Sequence, residues 1–238
     1  MRLQLLPLYF SILIFASCAI PAPISQLSPD EKHDSFWLNG RQVLYQAKDS
    51  IFVEVSFYER QENLFIFDIT MINESGNNVL IDPSVVFYIP ISSTGDTLRS
   101  ISAVNPETKI LEQQMRINKL DAKRRSEARS ALLFGSLELA ASLSGDYPSE
   151  DNEPNALDRY YIETARIDAE TIGVLEQKEY WETQPVRKTT LFDDHYTTGQ
   201  IFLKYRKKVD KLGLIIPLGN QQFEFWFNHS EIKHQDFR

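Results

Sequence analysis

Two regions of alternating apolar and polar residues flank a long helix-compatible stretch, and this order constrains the fold more than any other feature. In residues 51–57 and 64–72 every odd position is apolar, while polar residues such as Glu54 and Asp68 face the other way. Residues 222–228 repeat the alternation with three phenylalanines on one face. A period of two is typical of antiparallel strands that bury one face. The chain is therefore predicted to be mainly β.

Residues 105–186 interrupt the strand regions and are predicted to form a helical hairpin. Asn105 followed by Pro106 is a typical helix start. After a loop at about residues 144–154, Asn155 can cap a second helix, which Pro185 ends. Apolar residues recur in this second helix at roughly helical spacing and predict an apolar face; they are Leu157, Tyr161, Ala165, Ile172 and Leu175.

Residues 36–104 and 187–238 are predicted to form two parts of one β-sandwich. The four late strands alone would have little core, whereas joining them to the early strands buries more apolar surface. Asp82-Pro83 divides two early strands and predicts either an edge break or a switch between sheets. The predicted fold class is mainly β with an α insertion, an antiparallel β-sandwich interrupted by a long helical hairpin.

The late strands also carry a resemblance to a known kind of domain. Segments 187–191, 198–202, 212–216 and 223–227 resemble the closing strands of immunoglobulin-like domains in bacterial lipoproteins of unknown function. The resemblance implies an immunoglobulin-like sandwich. Because the inserted helices depart from the simplest such domains, no binding site is carried across.

The only cysteine, Cys18, ends the longest apolar run of the chain. Residues 1–17 have the composition of a secretory signal peptide, with Arg2 before the apolar run and two small residues after it. A solitary cysteine excludes an internal disulfide. The chain is therefore expected to be exported, and Cys18 is expected to have a role other than cross-linking.

The segment Phe15-Ala16-Ser17-Cys18 resembles a bacterial lipobox, with Phe15 in place of the usual leucine. The resemblance implies cleavage before Cys18, acylation of Cys18 and attachment to the lipid bilayer. Residues 18–35 then form a lipidated cysteine and a flexible tether. Ala19 after the cysteine favours the outer membrane by the same resemblance. An ordinary signal peptide cut near Ala19 and an uncleaved anchor are the alternatives.

Charge argues against nucleic acid as a partner, because the formal net charge is -8 and a phosphate backbone requires a basic footprint. The basic run Lys123-Arg124-Arg125 is interpreted as a solvated helix face. The basic segment 204–211 is interrupted by Val209 and Asp210 and is interpreted as a turn between strands.

No catalytic motif is present in the sequence, so the chain is not expected to be an enzyme or to hold a cofactor or metal. Asp193-Asp194-His195 could begin a metal site, but an ordinary turn is the favoured interpretation. The acidic loop at residues 146–153 is interpreted as solvated.

Aromatic side chains are the candidate partner contacts, since such residues dominate interface hot spots. The candidates are Tyr160, Tyr161, Tyr180, Trp181 and Trp226, with internal packing as the alternative. The leading hypothesis is a non-catalytic envelope lipoprotein that binds or assembles with another envelope protein. A glycan- or small-ligand-binding lipoprotein comes second, and a hydrolase using residues 193–195 comes third.

Overall fold

The computed structural model describes residues 23–144 and 155–232. The predicted signal peptide, Cys18 and the acidic loop at residues 146–153 lie outside the described residues.

Strands lie on both sides of two long helices. The strands before the helices are β1 (Ile24–Pro29), β2 (Ser35–Leu38), β3 (Arg41–Lys48), β4 (Ile51–Gln61), β5 (Leu64–Asn73), β6 (Val79–Ile81), β7 (Phe87–Ile91) and β8 (Ile101–Ser102). The helices are α1 (Pro106–Ser144) and α2 (Ala156–Thr183). The strands after the helices are β9 (Thr189–Leu191), β10 (His195–Lys204), β11 (Lys211–Leu218) and β12 (Gln221–Ile232).

Two five-stranded sheets form the sandwich. One has the order β1-β12-β11-β7-β8, the other has the order β10-β5-β4-β3-β2, and β6 and β9 form a third, two-stranded sheet. The paired strands in each sheet run antiparallel. Each sheet contains strands from before and after the helices, so the hairpin interrupts one sandwich. The predicted fold class is confirmed.

The core lies between the two large sheets and is built by the alternating residues. The odd positions from 51 to 57 in β4 and from 65 to 71 in β5 are buried or partly buried in one apolar cluster with side chains of β11 and β12. Phe67 meets Phe227 of the opposite sheet with ring centroids 5.2 Å apart, and Phe65 meets Tyr88 edge-on at 6.5 Å. Burial of these large rings is the main stabilising contribution to the sandwich.

The chain changes sheets at Asp82-Pro83, as one of the two sequence interpretations predicted. Before this point β6 pairs with β9, and after it β7 pairs with β11. A carboxylate oxygen of Asp82 accepts a hydrogen bond from the backbone N–H of Ser84 at 3.0 Å and caps a short 3-10 turn. The proline therefore stands at a corner between sheets.

The prediction of a flexible tether over residues 18–35 is wrong from Ile24 onward. Residues 24–29 form β1, which pairs with β12 along its whole length. An ion pair of 2.6 Å between Asp30 and Lys211 holds the chain just after this strand. Within β1 only Leu27 is a buried apolar residue, so the local alternation is too weak to identify the strand.

Both predicted helix starts are confirmed. The side chain of Asn105 accepts a hydrogen bond from the backbone N–H of Glu107 at 3.0 Å, and Pro106 is the first residue of α1. The side chain of Asn155 accepts from the N–H of Asp158 at 2.8 Å. These bonds satisfy donors that the first turn of a helix leaves free.

The chain leaves α2 by crossing β10 at very short range. The N–H of Val186 donates to the carbonyl of Gln200 at 2.9 Å, and the N–H of Gln200 donates to the carbonyl of Gln184 at 2.8 Å. A Cβ atom placed on Gly199 would lie 2.9 Å from the backbone nitrogen of Val186. The absence of a side chain at Gly199 is what allows this crossing.

Gly199→Ala is expected to lower the free energy of unfolding by about 1–3 kcal/mol, because a rigid backbone meets the added methyl group. Gly173→Ala is the matched control, since no atom lies within 4 Å of a Cβ at that helical position. That control is expected to raise stability by up to about 1 kcal/mol through helix propensity. Urea denaturation followed by circular dichroism measures both, and equal effects would contradict the close crossing.

Candidate functional site

The root of the hairpin is fixed to the sandwich by aromatic contacts. The ring centroid of Phe202, on the outer face of β10, lies 4.8 Å from that of Trp181 and 5.9 Å from that of Tyr180. Arg187 donates two hydrogen bonds to the carboxylate of Glu107, at 2.8 and 2.7 Å. These bonds from Arg187 hold the pKa of Glu107 below its ordinary value. The two ends of the hairpin are thereby tied together.

A short apolar seam joins the two helices further along. Leu120 of α1 and Ile167 and Val174 of α2 form a small buried cluster, with Ile117 packed against it. This cluster is separate from the core of the sandwich. The middle of the hairpin thus has a core of its own.

Ion pairs line the edges of this seam. Lys123 pairs with Glu163, and Arg124 pairs with Asp168, in each case from α1 to α2. The basic run predicted to be a solvated face therefore has two of its three residues bridging the helices. Exposed pairs of this kind contribute little each, but opposite charges at successive positions favour the observed register.

The apolar face predicted for α2 does not pack against α1. Leu157, Tyr161, Ile172 and Leu175 are exposed, whereas the buried residues of α2 are Ile167 and Val174. Apolar residues occur on two sides of this helix, and only one side meets α1. The second apolar side is left on the surface.

The distal half of α1 exposes more apolar surface than any other part of the hairpin. We call the exposed apolar side chains at this end the distal hairpin surface. It consists of Leu132, Leu133, Phe134, Leu137, Leu139 and Leu143 of α1 and Leu157, Tyr161 and Ile162 of α2. Their exposed fractions run from 54% for Leu157 to 82% for Leu143, so these side chains contribute little to the hairpin's own packing.

Polar groups within this end of the hairpin are bonded internally. The carboxylate of Glu138 accepts a hydrogen bond from the N–H of Ala156 at 3.0 Å. The hydroxyls of Ser136 and Ser142 each donate to a backbone carbonyl three residues earlier, at 2.8 Å. Such local bonds satisfy the hydroxyls within the helix. The surface therefore presents mainly hydrocarbon.

The five predicted partner contacts fall into two groups. Tyr161 is exposed on the distal hairpin surface, and Tyr160 lies half-buried beside it, lining a cleft of about 270 Å³ between the helices. Tyr180 and Trp181 instead anchor the hairpin root. Trp226 lies over Gly213, and its ring centroid is 5.6 Å from the Nζ of Lys211. The last three pack internally and are partly exposed, which agrees with the alternative that the sequence left open; their role as partner contacts stays a prediction.

The leucines of the distal surface were not among the predicted contacts. The available signal was the apolar run at residues 132–143, in which Glu138 is the only charged residue. A run of this kind is equally compatible with packing inside a protein, and sequence alone does not distinguish the two.

The Asp193-Asp194-His195 cluster forms a turn. The carboxylate of Asp193 accepts a hydrogen bond from the N–H of Gly76 at 2.7 Å, and the Nδ1 of His195 lies 2.7 Å from the carbonyl of Asp193. Asp194 has a φ of 55°, in the left-handed region that Asp tolerates at turns. Within residues 23–144 and 155–232, no group of three metal-ligating side chains is suited to an ion.

A shallow groove of about 330 Å³ lies on the outer face of the second sheet. It is polar, with an ion pair of 2.5 Å between Arg41 and Asp68 and a hydrogen bond from Gln200 to the same carboxylate. None of the side chains that line it is aromatic. This groove is therefore not the aromatic-lined kind that would favour a glycan-binding protein.

Comparisons with known proteins add no assignment. No family model matches the sequence, and neither the curated proteins nor the solved structures contain a significant match. Among the described helices, none combines the length and hydropathy needed to cross a membrane. Any functional inference therefore depends on the chain's own residues.

Proposed function

We propose that this chain is a bacterial envelope lipoprotein, anchored in the outer membrane through Cys18, that acts as a non-catalytic binding module for another envelope protein. The distal hairpin surface is the part that binds. The lipobox-like segment at residues 15–18 supports the anchor. The binding role is supported by the exposed apolar side chains at the distal end of the hairpin.

The exposure of these side chains is the observation that carries the proposal. Six apolar residues of α1 between Leu132 and Leu143 are each at least 60% exposed. Soluble proteins rarely keep large contiguous apolar patches in water, and such patches mark interaction sites. Burying apolar surface contributes roughly 25 cal/mol per Å². Phe134 and Tyr161 supply the large rings that typically dominate an interface.

The acidic residues near the distal hairpin surface favour a protein over the lipid bilayer as its binding partner. The sequence between α1 and α2 contains Asp146, Glu150, Asp151 and Glu153, and Asp158 follows in the first turn of α2. Inserting the hairpin end into a membrane would carry these carboxylates toward lipid, which is costly. A protein with an apolar groove and a basic rim complements the same surface.

Photo-crosslinking in intact cells tests the proposal. A photoreactive residue replaces Leu137 or Tyr161 in the full lipoprotein, and Tyr196, exposed near the start of β10, is the control position. We expect positions 137 and 161 to give the same discrete adduct and position 196 to give none. Leu133→Asp combined with Leu143→Asp should lower the yield at least about tenfold, since loss of one hot-spot residue costs about 2 kcal/mol or more.

Three outcomes would overturn the proposed binding role. One is the same adduct from position 196, and another is the absence of a discrete adduct from both hairpin positions. An adduct of twice the chain's mass would show self-association in place of a separate partner. The double variant must also remain in the membrane fraction, which keeps the test of binding separate from the test of anchoring.

A further inference from the structure

The end of the sandwich where the described chain begins also carries a cluster of cations. Ile24, the first residue of β1, pairs with Ile232 at the end of β12. The side chain of Arg60, near the end of β4, bonds to Ser25 at 2.9 Å, and Lys204 ends β10 opposite the start of β5. The loop from β10 to β11 lies at this end. We call Lys204, Arg206, Lys207 and Lys208 the basic end.

The loop that carries the basic end is held in place by buried contacts. The N–H of Tyr205 donates to the carbonyl of Asn63 at 2.6 Å. Val209 is 2% exposed and belongs to the sandwich core. Its carbonyl lies 2.6 Å from the Nδ1 of His229 on β12. The cations are thus presented on a fixed loop.

These four cations have no carboxylate partner among the described residues. Glu231, one of two acidic residues that line the cleft beside them, is already bonded to Arg60 at 3.3 Å and to the hydroxyl of Tyr205 at 2.8 Å. Asp210 and Glu62 also lie at this end and are exposed. On a chain with a net charge of -8, a run of unpaired cations is a local exception.

An open cleft of about 720 Å³ lies between the cations and the start of β1. Three cations border it, Arg60, Lys207 and Lys208, together with the carboxylates of Asp210 and Glu231. Lysine and arginine side chains converging on an open cleft suit phosphate oxygens, which accept charge-assisted hydrogen bonds.

The position of Cys18 argues for the source of the phosphate. Four residues lie between Cys18 and Pro23, and the five steps along the chain span at most about 18 Å even when fully extended. An acylated Cys18 therefore keeps this end of the sandwich next to the headgroups. Unpaired charges act over about 8–10 Å at physiological salt. Each cation near an anionic membrane strengthens binding roughly fivefold.

We propose that the basic end contacts the phosphate groups of phospholipids in the membrane that holds Cys18, and so sets the orientation of the sandwich on that membrane. This inference rests on the proposed lipid anchor. It is independent of the partner that the hairpin binds.

Energy transfer to labelled lipid tests the orientation in the mature lipoprotein. An acylated Cys18 has no free thiol, so Glu62→Cys places one fluorophore at the basic end and Tyr196→Cys places one at the other end of the sandwich. The protein is reconstituted in phosphatidylcholine vesicles with a headgroup-linked acceptor, with and without phosphatidylglycerol. We expect transfer from position 62 to exceed that from position 196 and to increase with phosphatidylglycerol.

Lys204→Gln/Lys207→Gln/Lys208→Gln should abolish the increase caused by phosphatidylglycerol. The matched control is Lys119→Gln/Arg125→Gln/Arg129→Gln, which removes the same charge from exposed positions of α1 and should leave the increase intact. Inorganic phosphate at constant ionic strength should also have no effect.

Failure of the membrane contact and failure of the lipid anchor give different results in this experiment. In one outcome the protein incorporates into the vesicles while energy transfer from position 62 changes neither with phosphatidylglycerol nor in the Lys204→Gln/Lys207→Gln/Lys208→Gln variant. That result would overturn the membrane contact and would leave the proposed anchor intact. Loss of the contact in inorganic phosphate alone would show a site for free phosphate and would equally overturn it. Mature protein that carries no acyl chain and does not incorporate would overturn the anchor, and the membrane contact with it.

Discussion

Cys18→Ala is expected to move the protein from the membrane fraction to the soluble fraction. Each buried methylene contributes about 0.8 kcal/mol, and one myristoyl chain gives only reversible binding. Two or three chains on Cys18, as we propose, would make release negligible, so their loss should change the distribution almost completely. Fractionation, together with the intact mass of the mature protein, measures both the location and the acylation.

Two controls separate the loss of the anchor from a loss of folding. Because Cys18 is proposed to carry lipid and not to pack in the sandwich, Cys18→Ala should leave the thermal unfolding transition unchanged. Leu133→Asp, at the distal hairpin surface, should stay in the membrane fraction. A wild-type protein that begins after residue 18 and carries no acyl chain would rule out the anchor.

Phe67→Ala is expected to lower the free energy of unfolding by about 3–5 kcal/mol, the usual cost of emptying a buried aromatic site. Phe67 is fully buried, and its ring lies 5.6 Å from that of Phe57 and 5.2 Å from that of Phe227. The cavity would open at the contact between the two sheets, where neighbouring strands cannot collapse easily.

Leu133→Ala is the matched comparison, because Leu133 is also a large apolar residue but is 66% exposed. Its effect on stability should stay within about 0.5 kcal/mol, as at most surface positions. Urea denaturation followed by tryptophan fluorescence measures both variants. A loss at Leu133 comparable to that at Phe67 would mean that the distal surface serves folding, contrary to the binding role.

Local patterns predicted most of the fold. The alternation in β4, β5 and β12 identified the core face of each strand, because a strand places successive side chains on opposite faces. Asn105 and Asn155 identified the helix starts, because their side chains bond to the first free N–H groups. Each of these signals depends on a few neighbouring residues.

Structural features that depend on contacts between residues far apart in sequence could not be predicted from local patterns. The strand β1 exists because β12 pairs with it, and its own sequence, with Leu27 as the buried apolar anchor, does not identify it. The buried side of α2 was likewise decided by the match of Ile167 and Val174 to α1. The same limit applies to the candidate site, since only the assembled hairpin shows that Leu133 is exposed and that Trp181 packs against Phe202.

The pairing of β1 with β12 also sets an order of events during biosynthesis. About 200 residues separate the two strands in sequence, so a polypeptide emerging in order from a ribosome or a translocation pore must wait for β12 before this sheet is complete. The contacts between α1 and α2 are much closer in sequence and can form earlier. During the interval, unpaired strand edges are open to mispairing, so a chaperone that shields the nascent chain would matter most until β12 has emerged.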